Sequence, residues 1–135
     1  MLIKPLYDRL AKLERFTIEV KETVPDTKEL KNFGKTPALF LLPVTSTGRP
    51  LGSDARPKQE LEHEYAIAYV SRNKDIKIEE PDITTDRQMV MDALLGFSLD
   101  PDYSGFALKQ SSIHSMTPTF IVWVETWVTK KTHRI

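Results

Sequence analysis

From Phe120 to Thr129, the side chains Phe120, Val122, Val124 and Val128 alternate with Ile121, Trp123, Glu125 and Trp127. Successive side chains of a strand point to opposite faces, so the period of two marks a strand that carries bulky apolar groups on both sides. Neither face reads as solvent. The run Pro37-Ala38-Leu39-Phe40-Leu41-Leu42-Pro43-Val44 is also apolar throughout, as expected of a strand covered on both faces, with its prolines near the sheet margin or at a bulge. Gln59 to Ser71 makes a third strand. Leu61, His63, Tyr65, Ile67 and Tyr69 occupy one face, and Glu60, Glu62, Glu64, Ala66, Ala68 and Val70 the other.

Around these strands the period changes. Leu2, Leu6, Leu10 and Leu13, widened by Ile3 and Tyr7, recur at helical spacing, which predicts a helix over 2–14 with one buried face. Phe16, Ile18 and Val20 then alternate with polar residues as a half-buried strand. Asp26 or Thr27 can cap a short helical turn reaching Leu30. Thr85-Asp86-Arg87-Gln88 has the capping-box pattern and is expected to open a second helix, with Val90, Met91, Leu94, Leu95 and Phe97 as its stripe and Gly96 as its stop. Asp100 to Gly105 reads as a turn, and Phe106 to Met116 as a strand paired with Phe120 to Thr129 across Thr117-Pro118. Thr45 to Lys58, with two glycines, two prolines and no period, is expected to be a long loop, and Arg72 to Asp82 a polar linker.

The order helix, strand, strand, strand, helix, strand, strand predicts an α+β fold, a mostly antiparallel sheet of about five strands with two main helices packed on one face. At 135 residues, one domain spanning 1–135 is expected. Two short helices cover one face. The other face is then expected to display Ile121, Trp123, Trp127 and residues from Pro37 to Val44, an apolar surplus that another chain would cover.

Composition narrows the function classes. Nineteen Lys and Arg balance nineteen Asp and Glu, so no long-range field gathers nucleic acid or an anionic membrane. No apolar run approaches the length of a membrane span, the N-terminus lacks the apolar core of a cleaved signal, and a soluble protein is expected. Without cysteine there is no disulfide, thiolate catalysis or cysteine metal site. His63, His114 and His133 have no second ligand at metal spacing. Glu62-His63-Glu64 divides between two strand faces, and its glutamates read as strand charges paired across the sheet or to a neighbour. Ser111, Ser112, His114 and Ser115 lack a nucleophile elbow, and Gly48 and Gly52 lack the lysine and helix start of a phosphate loop. No enzyme, cofactor or metal is expected. The basic residues Arg49, Arg56 and Lys58, with Tyr65 and Tyr69, leave a nucleic-acid-binding module as a minor alternative.

The order of these pieces resembles the bacteriophage tail terminator family, the tail completion proteins of Mu-like and related tailed phages. The resemblance spans nearly the whole chain. It rests on the opening amphipathic helix, Pro37-Ala38-Leu39-Phe40-Leu41-Leu42-Pro43, the Gly- and Pro-containing loop into Gln59-Glu60-Leu61-Glu62-His63-Glu64-Tyr65, Ala93-Leu94-Leu95-Gly96-Phe97, and the closing Trp123-x-Glu125-x-Trp127. The chain departs from the family at Lys28-Glu29-Leu30-Lys31, where relatives carry longer Ala-rich segments.

The resemblance implies a structural virion protein, assembled in the host bacterial cytoplasm, that forms a homo-oligomeric ring, a hexamer, on the head-proximal end of the tail tube. Such a ring ends tube polymerisation and meets the head–tail connector; DNA passes through it without specific binding. A head-completion or neck adaptor protein is the alternative from the same setting. On this reading Phe40, Leu42, Trp123 and Trp127 are expected at the subunit interface, and Arg49, Leu51, Arg56 and Lys58 in a loop that contacts tube or connector.

Overall fold

The computed structural model describes residues 2–31, 34–50, 58–72 and 82–134. Its elements run α1 (Lys4–Ala11), β1 (Thr17–Val20), α2 (Thr27–Lys31), β2 (Ala38–Pro50), β3 (Lys58–Arg72), α3 (Asp82–Leu94), β4 (Ala107–Met116) and β5 (Phe120–Arg134). The five strands form one sheet in the order β1-β2-β3-β5-β4. β1 lies parallel to β2 and every other pair is antiparallel, so the α+β expectation of a mostly antiparallel sheet holds.

Local chemistry sets the element ends. Pro5, which has no N–H to leave unpaired, stands in the first turn of α1. The helix closes earlier than its leucine spacing predicts, because Leu13 and Glu14 turn back onto the carbonyls of Leu10 and Ala11 and Glu14 takes a φ of 54°. In α2 the Asp26 carboxylate accepts the Glu29 N–H at 2.9 Å, the expected cap. The second expected cap is corrected. α3 starts at Asp82, so Thr85 to Gln88 lie inside it, and buried Asp86 faces Arg15 at 2.5 Å. Gly96, at φ 80°, ends α3 as its position predicts, but Leu95 is exposed and does not extend the stripe.

The larger core lies on the face that α1 and α3 cover. Leu6 and Leu10 of α1 and Val90 and Leu94 of α3 meet Leu39, Leu41, Tyr65, Ile67, Ile121 and Trp127 of the sheet. Its neighbour across the sheet holds Phe40, Leu42, Ala66, Ala68, Phe120 and Val122, against which Leu30 of α2 and Val24 pack. This overturns the expected apolar surplus. Trp127 and Ile121 sit under the helices, and Phe40 and Leu42 are buried on the far face within the same chain. Alternation separated the two residue sets correctly, yet it carries no information about which set the helices meet.

A close backbone crossing seals the end of α3. The Gly96 N–H donates to the Phe106 carbonyl and the Phe106 N–H to the Phe97 carbonyl. A Cβ at Gly105 would stand 2.7 Å from Gly96 backbone atoms. Gly105→Ala is therefore expected to cost about 1–3 kcal/mol through backbone displacement, read as a lower midpoint in urea unfolding; an unchanged midpoint would show that the crossing yields freely.

Candidate functional site

Beyond the core the sheet continues as an arm. β2 runs past Leu42, shifts register between Pro43 and Thr45, and pairs from Thr45↔Glu64 to Pro50↔Gln59; β5 lies on the other side of β3, from Glu64↔Val128 to Lys58↔Arg134. Pro43 to Pro50 are all exposed. The expected loop from Thr45 is thus corrected as far as Pro50: β-branched Thr45 and Thr47 around Ser46 pair against β3, a strand signal masked in the sequence by Pro43, Gly48 and Pro50. Glu60 receives Arg49 at 3.3 Å and Lys130 at 3.9 Å, and Glu64 pairs with Lys109. The Glu60 pairs join neighbouring strands, whereas Glu64–Lys109 reaches from β3 past β5 to β4, so of the two glutamates read as cross-sheet charges Glu64 has its ion pair.

The residues expected to contact other proteins divide into three groups. Arg49 is on the exposed edge strand of the arm, and Lys58 opens β3. Leu51 and Arg56 lie outside the described residues. Phe40, Leu42 and Trp127, expected at a subunit interface, are 2%, 5% and 0% exposed, so no partner can reach them on the folded surface. Trp123 is half-buried, its indole N–H donating to Ser111 Oγ at 2.7 Å.

A polar cluster that sequence reading missed joins α3 to the sheet. Glu125, fully buried, accepts the Tyr69 hydroxyl at 2.5 Å, Arg87 Nε at 3.0 Å and the Ser111 hydroxyl at 2.8 Å. Arg87 also donates to Ser111 and lies 4.3 Å over the Trp123 ring. Burial, followed by the Glu125 charge, pushes the Tyr69 hydroxyl far above its ordinary value, so it stays a neutral donor. Glu125 therefore serves as the acceptor centre of a satisfied structural cluster. Its alternation with Trp123 and Trp127 was the available signal, since a carboxylate among indoles on a buried face demands partners.

His63 sits where the arm meets the core. Its ring lies 5.6 Å from Tyr103, whose own ring carries Lys131 at 5.2 Å, and its Nδ1 is buried with no hydrogen-bond partner. Burial, aided by the Lys131 charge, lowers its pKa from 6.5. The unfolded chain accordingly takes up the proton first, so stability is fully present above 6.5 and declines as pH falls through that value toward the depressed folded one. Unfolding midpoints should drop between about pH 8 and about pH 5.5, and His63→Gln should flatten the drop. An equal slope in both proteins would assign the effect to other groups.

Open grooves mark the surface of the described residues. One is lined by Pro101, Asp102, Lys131, Thr132 and His133, one by Arg9, Lys12, Leu13, Met89, Asp92 and Ala93, and one by Val20, Lys21, Glu22 and Pro43. Among the described residues no group of three or more His, Asp or Glu could hold a metal ion, and no helix is long and apolar enough to cross a membrane. No protein-family model and no curated protein matches the chain.

Proposed function

We propose that this chain is a phage tail terminator, a structural subunit that caps the head-proximal end of the tail tube as a homo-oligomeric ring and presents its other side to the head–tail connector. The observation that carries the reading is the arm, a three-stranded extension whose β2 edge, Pro43 to Pro50, is exposed along its whole length. An extended hydrogen-bonding edge offers a partner main-chain pairing over several residues, which suits protein assembly better than small-molecule chemistry. The ordered motifs that resemble the family point the same way. Capping needs no bond to be made or broken: a ring whose one side matches the last tube ring and whose other side does not repeat it stops growth.

The test is tube assembly with and without this protein. Purified tube protein polymerised in its presence is expected to give shorter tubes bearing a ring at one end in negative stain. Tubes of unchanged length with bare ends would overturn the proposal. If the chain instead bound connector protein and never tube, the neck-adaptor alternative would replace it.

A further inference from the structure

Seven large apolar side chains are well exposed among the described residues, and four of them lie toward opposite margins of the one sheet: Val20 and Val44 beside β1 and β2, Ile113 and Met116 on β4. Cross-strand partners share a face. Val20 pairs with Leu41, Ile113 with Trp123 and Met116 with Ile121, which places all three exposed residues on the face that carries the helices. They are 48%, 46% and 49% exposed.

Direction agrees with this placement. β1 is parallel to β2, and the three antiparallel steps from β2 through β3 and β5 make β4 run opposite to β1. If one sheet continues into the next without inversion, β4 of one copy therefore meets β1 of its neighbour antiparallel, the more stable pairing. Length agrees as well. β1 has four residues, Thr17 to Val20, and β4 is regular between its two register shifts for the four residues Gln110 to Ile113. The bulges on either side limit the contact to that stretch and guard the rest of the edge.

We propose that copies of this chain join head to tail through these two sheet margins, β1 of one copy lying antiparallel against the Gln110 to Ile113 stretch of β4 in the next, with Ile113 against Ile18 and Val20. The occupant is a second copy, because one chain carries both halves of the joint on the same face and in compatible directions. Such a heterologous contact closes into a ring if its rotation closes. The inference deepens the capping proposal and rests on it for closure alone.

The chain has no cysteine, so engineered cysteines report without background. Val20→Cys and Ile113→Cys proteins, each full length, are treated with a short bismaleimide separately and mixed, alongside light scattering of the unmodified chain. The expected result is an oligomer in scattering and a cross-linked dimer in the mixed sample only, with Ile113→Lys abolishing both while its circular dichroism is unchanged. Equal cross-linking in the separate samples would mean a two-fold contact and overturn the joint. An oligomer with no cross-link in the mixture would overturn the joint while leaving the ring reading intact. A monomer throughout, with no cross-link, would overturn the joint and the self-association together, and the tube-length assay then decides capping separately.

Discussion

Replacing Glu125 by Met is expected to lower the unfolding free energy by about 3–5 kcal/mol, because it leaves the Arg87 guanidinium partly buried without its counter-charge. The carboxylate is wholly buried and accepts from Tyr69, Arg87 and Ser111 together. Its loss orphans three donors at once, and an unpaired buried donor costs more than a made hydrogen bond contributes. Equilibrium urea unfolding reads the loss directly. Adding Arg87→Met should recover part of it, since removing both charges is milder than removing one. Independent, additive losses from the two substitutions would show that the pair is not coupled.

Trp127→Ala is expected to cost a similar amount, about 3–5 kcal/mol, by a different route. The indole is completely buried in the helix-covered core, with its N–H unpartnered. Almost all of its contribution therefore comes from apolar area and packing. Trp127→Phe keeps much of that area and removes an unsatisfied donor, so its loss should be clearly smaller. Similar losses for Phe and Ala would mean that the ring's shape matters more than its burial. Trp127 is consequently unsuitable as a probe of assembly, since its truncation weakens the fold before any interface is tested.

Much of the fold was legible because period reports geometry. The alternation at Gln59 to Ser71 and Phe120 to Thr129 located the two central strands and divided their residues between faces, while Leu6, Leu10, Val90 and Leu94 marked the covering helices. The β2 side of the arm beyond Val44 was not legible: Gly48 and Pro50 read locally as loop, whereas pairing with Gln59 to Glu64 stabilises that stretch as strand. Pairing is a long-range event, and local propensity cannot register it.

The sequence by itself determined an α+β chain with a sheet apolar on both sides, without cysteine chemistry or net charge. Only the tertiary structure decided where that apolar surface goes. Phe40, Leu42 and Trp127 are covered inside the chain, and the apolar side chains that the sheet leaves exposed include Val20, Ile113 and Met116 at its margins. The reason is physical. Alternation records that two side chains point apart, but which of them meets a helix, and which residue is left at an edge, depends on strand order and on how distant segments fold over the sheet.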